Sequence, residues 1–549
     1  MNYVSFLFLI YVTMSCLTYF LYPVLFRRHK EQQWVVLLLA SLGFYALCSG
    51  KCLILLLLSG ISIYLGAKRL DALVALQKQA LSKAGSGASG KLSREEKKRI
   101  KQQFLGKKRC VLWTVLLLNF GILAFYKYIP GIVNGLFSST SFSLVVPVGI
   151  SFYTFQATGY LIDVYNGNVR AEKNPLKVLL FISFFPQIIQ GPIGFWDPVA
   201  GELFACHRPD WNRMKHGFEL VMWGYLRKMV LADRIVNDIY RATDSYREHS
   251  GFVLALAVLL YAIQLYADFA GGIDISRGIA EILGIRLPEN FRQPYLATSI
   301  NDYWWRWHIT LGAWMKKYIF YPLALTPLFA GAGKRLGKTT LGQSEYGKHA
   351  ARVLPAAMSC IVVFLVVGIW HGAGMRYVGF GLWNGIVIFL SMMLEPLFPV
   401  WKKALHIRAG VAWYRWFQIL RTFVLVYIGY IFDVAKSFKA AIGIAGAIML
   451  RQPTNLSLLA GELTETFTGF NTWNIAVVVF MTALVIWADL YHERHDTHAG
   501  GDGMRLRDRI DSGCFMKEWT LVLLCAVVII LLGIYGPGYD AVKFVYAGF

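Results

Sequence analysis

The chain has 549 residues, 56% of them hydrophobic and only 16% charged, with a formal net charge of +23. A soluble protein carries about a quarter charged residues, and here the apolar residues come in blocks long enough to cross a bilayer, about 20 residues each. This excludes an ordinary soluble enzyme, and the positive charge reads as the Lys/Arg bias of cytoplasmic loops, with attraction to anionic headgroups as a secondary effect, not as a nucleic-acid surface.

Residues 3–26 form an apolar run that ends in Arg27, Arg28 and Lys30. It reads as a retained first span with the N-terminus outside. Two short segments, 34–48 and 52–66, are divided by Lys51. Residues 68–109 are polar and basic and read as a cytoplasmic loop. It holds a Gly/Ser linker at 85–90, and Ser93 with Glu96 three residues on forms a capping box that opens a short surface helix. Spans follow at 111–128 and 144–164. In 175–194 the run FFPQIIQGPI carries Pro186, Gly191 and Pro192, which break a regular helix. Backbone groups freed at membrane depth must be satisfied by protein or a watery cavity, so this segment reads as re-entrant.

Residues 217–236 and 252–270 are the next spans. Asp268 and Asp274 lie close to apolar sequence, where a carboxylate is costly; pairing with Arg277 or a backbone donor is the expected role. The stretch 301–323, NDYWWRWHITLGAWMKKYIFYPL, gathers Trp304, Trp305, Trp307 and Trp314 around His308, with Arg306, Lys316 and Lys317 beside them. As one helix it puts Trp304, His308 and Gly312 on one line. Rings beside cations also mark a membrane–water interface. Residues 334–352 are a basic, cytoplasmic loop, and 354–370 lead to His371. Further spans are 377–394, 417–432, 440–450, 473–490 and 519–535. His492, His495 and His498 share a Gly-rich, charged loop at 492–509 in which nothing orients metal ligands, so no metal site is expected. The eight cysteines are scattered, make no CxxC pair, and read as small buried residues. The fold class is therefore an all-α polytopic membrane protein. It forms a single domain, 1–549, of about a dozen transmembrane or re-entrant helices, without the repeat that marks many transporters.

No phosphate loop, dinucleotide fingerprint, nucleophile elbow or HExxH motif stands out. His308 and His371 remain. In VVGIWHGAG, His371 ends an apolar helix, and Gly372, Ala373 and Gly374 leave space for a substrate to approach the ring. Burial disfavours the imidazolium, so the ring is neutral near pH 7 and can act as a base. A neutral imidazole beside a hydroxyl suits acyl transfer, in which the hydroxyl loses a proton as it attacks.

Six pieces of sequence lie in one order between about residues 145 and 390. They are PVGISFYTFQATGYLIDVY, FFPQIIQGPI, YADFAGGIDISRGIAEILG, LPENFRQPY, WWRWHITLGAWMKKYIFYPL and GIWHGAG. At these residues the chain resembles the membrane-bound O-acyltransferases, MBOAT, of the bacterial branch that includes alginate O-acetyltransferase and the teichoic-acid D-alanyl transfer protein. The tail YGPGYDAVKFVYAGF resembles the end of the acetyltransferase branch. Two departures stand out: Trp305 takes the place of the first arginine in a FWRRWH-like run, and a DFSGYSD-like run reads DFAGGID.

The resemblance implies an MBOAT-like bundle with a motif-bearing catalytic core at 145–390. It implies His371 as the invariant histidine and His308 as the second functional one. It implies a donor on the cytoplasmic side, with acetyl-CoA expected, and an acceptor hydroxyl outside, on a polysaccharide or on a partner protein that modifies it. Trp304 and Trp307 are expected as walls of a donor passage, with Asn290 and Asp302 as further substrate-binding candidates. The bacterial cell membrane is the expected location. The nearest alternative is D-alanyl transfer from a carrier protein toward teichoic acid. From a different class, composition also permits a transporter or lipid flippase.

Overall fold

The computed structural model describes residues 3–85, 93–136, 144–408, 410–453, 455–467, 472–497, 503–511 and 515–535. The Gly/Ser linker beyond Gly85, His498 and the tail after Tyr535 lie outside them. The described residues are helical and contain no strand; one isolated antiparallel bridge joins Phe291 to Trp307. Eight helical stretches are long and apolar enough to cross a membrane, with two shorter apolar helices at Phe438–Leu450 and Trp519–Leu532. This is an all-α polytopic membrane protein. Among the described residues the span count falls below a dozen because 34–66 lies in one helical stretch, 175–194 and 217–236 are interrupted, and the helices in 144–164, 440–450 and 519–535 are too short.

The chain divides into two compact units. The first comprises Met1–Phe218 with Ser276–Pro288, and the second Glu219–Ile275 with Glu289–Ala547.

In the first unit, α1 (Phe6–Leu25) packs on α2 (Trp34–Ser49). Then come α3 (Leu53–Gly85), α4 (Arg94–Leu136) and α5 (Ile150–Asn166). The basic stretch 68–109 is not a loop: its described parts continue α3 and begin α4. Lysines and arginines are good helix formers, so an apolar helix need not stop where its sequence turns basic. The capping box forms as read. Ser93 N–H donates to Glu96 Oε2 at 3.0 Å and Glu96 N–H to Ser93 Oγ at 3.1 Å, opening a helix of 43 residues where a short one was expected.

The FFPQIIQGPI run breaks as its prolines require. α6 (Pro175–Ser183) stops at Phe184, and one turn, α7 (Phe185–Ile188), follows. Side chains satisfy the freed main chain. Phe185 N–H donates to Ser41 Oγ at 3.1 Å, Tyr3 hydroxyl to Pro186 O at 2.8 Å, and Gly194 N–H to Gln156 Oε1 at 3.2 Å. Gln187 Nε2 reaches both Gln156 Oε1, at 2.8 Å, and Pro192 O.

The second unit is built on α8 (Gly251–Ile282), which begins in it, the short α9 (Ile300–Arg306) and α10 (Ile309–Met315), and the long α11 (Glu345–His371), α12 (Met375–Met393), α13 (Ala412–Val434) and α14 (Thr472–His495). The basic stretch 334–352 is again largely helical. His492 and His495 belong to α14, and among the described residues no cluster of metal-ligating side chains exists. A π-helical turn, Leu226–Ala232, buries the adjacent residues Arg227 and Lys228 together. At Gly224 a Cβ would come within 2.6 Å of Gly271 O, so only glycine lets this segment approach α8 so closely. The approach sets Lys228 against Asp268 and, at 2.8 Å, Asp233; Arg227 meets Asp274 at 3.1 Å and Asp489 at 3.7 Å. Asp268 thus pairs with Lys228 and Asp274 with Arg227. The cations come from some forty residues upstream, a pairing that only the tertiary fold creates.

Candidate active site

The tryptophan-rich stretch is not one helix. α9 ends at Arg306, Trp307 is extended, and His308 adopts the left-handed conformation (φ 45°) before α10 begins. A non-glycine residue holds that conformation only where its surroundings enforce it. Here the LPENFRQPY segment does so, running antiparallel to the break. Arg292 N–H donates to Arg306 O and Ile309 N–H to Asn290 O, both at 3.0 Å, on either side of the Phe291–Trp307 bridge.

Asn290, fully buried, fastens the histidine. Its Oδ1 accepts from Thr310 N–H at 3.0 Å and Thr310 Oγ1 at 2.9 Å, and lies 3.1 Å from His308 Nδ1. A main-chain N–H can only donate, so this atom is the amide oxygen, and His308 Nδ1 must carry the hydrogen. The lone pair then sits on Nε2. His308 lies outside the candidate spans, and burial pushes its pKa down to about 3. It is a neutral ring of fixed tautomer near pH 7.

His308 and His371 line one narrow cavity, whose walls include Trp304, Trp307, Tyr430 and Asp433. The Trp370 ring packs against both, 6.2 Å from His308 and 5.2 Å from His371 centroid to centroid. His371 closes α11 and packs against Phe380 (5.3 Å) and Tyr377 (6.0 Å). The glycines after it do not all give a substrate room. A Cβ at Gly372 would strike the Tyr377 ring at 2.3 Å, so that glycine makes space for Tyr377.

The four tryptophans divide. Trp304 and Trp307 form cavity wall. Trp304 packs on Phe364 at 4.7 Å, and its buried indole N–H has no hydrogen-bond partner among the described residues. Trp314 is buried, while Trp305 is 58% exposed with Lys316 Nζ 3.9 Å above its ring. Asn290 and Asp302 are not on the wall. Asp302 ties its own turn, accepting from Thr298 N–H (3.0 Å) and Arg306 Nε (2.7 Å), and Arg306 goes on to Glu493 (2.6 Å). Sequence reasoning passed over Asp433, Asn384, Tyr303 and Tyr430. An acid inside the apolar run YIFDVA was the available signal for the first.

A family model described as "MBOAT, membrane-bound O-acyltransferase family" matches residues 168–341. A probable alginate O-acetylase of Pseudomonas putida is 28% identical over 426 residues, 75% of this chain and 78% of the relative. A peptidoglycan O-acetyltransferase of Helicobacter pylori is 28% identical over 393 residues, covering 66% of this chain and 69% of the relative.

The chain carries a membrane-bound O-acyltransferase family match over residues 168–341.

That match and the O-acetyltransferase relatives together make it an O-acyltransferase. A more distant member, a teichoic acid D-alanyltransferase of Bacillus subtilis, is 26% identical over 298 residues, 54% of this chain and 70% of the relative. The family match contains Asn290, Asp302, Trp304, Trp307 and His308, whereas His371 lies beyond it. The fold nevertheless brings His371 to the same cavity as His308.

Proposed function

We propose that this membrane O-acyltransferase moves an acetyl group from a cytoplasmic thioester donor, acetyl-CoA, to a hydroxyl outside the membrane. The acceptor hydroxyl belongs to a cell-envelope polysaccharide or to a partner protein that hands the group on. The longer matches to acetyl-transferring relatives support acetyl over D-alanyl. Their bacterial sources support the bacterial cell membrane as its location.

The observation that carries the reading is the pair of histidines on one cavity wall, one of them with its tautomer fixed. His371 is the general base. The acceptor oxygen attacks the thioester carbonyl carbon while its proton passes to the His371 ring. The C–S bond then breaks, the ester remains, and the imidazolium returns the proton to the departing thiolate, so that the free thiol leaves. His308 is too weak a base for that step, because efficient bases titrate near the working pH. Its Nε2 lone pair instead accepts a hydrogen bond and holds a reactant. The indole N–H of Trp304 supplies a donor for the thioester carbonyl oxygen.

Purified protein in detergent, given radiolabelled acetyl-CoA and oligosaccharides of alginate or peptidoglycan type, tests the reading. Acetyl ester formation supports it. Transfer only from a carrier-bound D-alanyl thioester would replace it with the D-alanyl alternative, and no transfer from either donor would favour a transporter.

A further inference from the structure

The cavity wall holds one acid that the proposed reaction does not use. Asp433, in the last turns of α13, is 6% exposed. Its Oδ2 accepts from the Tyr261 hydroxyl at 2.8 Å, while its Oδ1 is buried with no hydrogen-bond partner among the described residues. Among the described residues no cation forms an ion pair with it. The nearby Arg376 donates instead to the main-chain carbonyls of Asp433 (3.1 Å) and Ala435, and to the Tyr377 hydroxyl (2.6 Å).

The tyrosines on this wall do not supply the missing hydrogen. Tyr295 hydroxyl donates to Ala262 O at 2.6 Å, so in its 3.1 Å contact with Tyr430 it must accept. Tyr430 has then spent its proton, and Tyr303, 2.7 Å away, donates to Tyr430. The three hydroxyl hydrogens run in one direction, Tyr303 to Tyr430 to Tyr295, and end on a carbonyl. A buried acceptor left open is costly, and a carboxylate oxygen more so than a neutral one. A ligand that brings its own O–H removes that cost.

Resting on the acyl-transfer reading above, we propose that Asp433 Oδ1 receives a hydroxyl of the acyl acceptor and so positions that acceptor in the cavity shared with His371. It is a positioning residue. The proton of the attacking oxygen still goes to His371, and Asp433 exchanges no proton in the step.

The test uses the full-length protein in detergent, acetyl-CoA, and short oligosaccharides of alginate or peptidoglycan type. Asp433→Asn keeps the volume and can still accept from Tyr261. It should raise the KM for the oligosaccharide about ten- to a hundredfold, the range for a hydrogen bond to a charged group. Changes in kcat and in the KM for acetyl-CoA should stay within about threefold. Calorimetric binding of the oligosaccharide to His371→Ala protein, with and without Asp433→Asn, should show the same ratio without any turnover. This arm also separates the two ideas: if wild-type protein fails to transfer acetyl, the reaction reading falls, while binding still tests Asp433. Should Asp433→Asn not fold, Tyr261→Phe loosens the same carboxylate and should shift acceptor KM in the same direction, by less. An unchanged acceptor KM and affinity, a loss confined to kcat, or a shift confined to acetyl-CoA would each overturn the assignment. The last of these would place the carboxylate at the donor, where an amino group on the acyl chain would suit it.

Discussion

Two places in the second unit bury ionisable groups among apolar residues, and they treat them differently. Around the π-helical turn, Arg227 and Lys228 each face two carboxylates, drawn from Asp233, Asp268, Asp274 and Asp489. Around the cavity, two histidines, one of them held neutral by burial, share the wall with Asp433, which has no ion partner among the described residues. The first arrangement spends its charges on one another and ties the Leu226–Ala232 turn to α8 and α14. The second leaves side-chain atoms open. Buried charge that is matched inside the protein is architecture; buried polarity left open makes sense when a substrate completes it.

The comparison is broken most directly at its two centres. His371→Ala should lower acyl transfer by about 10²–10⁴, the usual cost of losing a general base, while the protein still inserts and stays monodisperse. His371→Gln keeps hydrogen bonding but cannot take the proton, so it should be nearly as inactive. Close to normal turnover in the glutamine variant would make His371 a positioning group and end the general-base mechanism. Lys228→Met should do the reverse. Removing one partner of a buried ion pair costs about 3–5 kcal/mol of stability, so the yield of monodisperse protein should collapse. Well-folded but inactive Lys228→Met protein would move the network from architecture to function.

The sequence showed one side of this contrast better than the other. Long apolar runs marked most spans, and Pro186 and Pro192 announced the break that Gln156 and Gln187 repair. Both histidines stood out because a polar ring in apolar sequence needs a reason. The break at His308 did not, since neither glycine nor proline marks it; it is imposed by Asn290 from 18 residues away. Pairing of Asp268 was expected, but Lys228 was not legible as its partner, because a cation 40 residues away leaves no local signal. Asp433 lay where an apolar run ends and passed for a boundary.

A smaller effect separates His308 from the paired charges. Its ordinary pKa is 6.5, and burial holds it at about 3 in the folded protein. Between those values the unfolded chain binds a proton that the folded chain does not, so stability is complete above about pH 6.5 and falls as pH drops toward 3. By about pH 5 the loss amounts to about 2 kcal/mol. His308→Gln has no ring to titrate, so its denaturation midpoint should change less between about pH 7.5 and 5 than that of the wild type. Parallel curves would mean that His308 is protonated in the folded protein.

The smallest expected change tests whether one tryptophan cluster serves two environments. Trp305 points outward, and its stack on Lys316 is worth about 0.5–1 kcal/mol at an exposed site. Trp305→Ala should leave acetyl transfer within about twofold in detergent and show itself only as weaker retention in bilayers, because an interfacial ring and its cation are lost. Trp304 is its neighbour in sequence but lies on the cavity wall, packed against Phe364 with its indole N–H open. Trp304→Ala should raise the KM for acetyl-CoA while insertion stays normal. Measuring transfer and monodispersity on both variants decides the matter. If Trp305→Ala lowers transfer as far as Trp304→Ala does, the two rings act as one interfacial belt, and the cavity wall loses its claim on the donor.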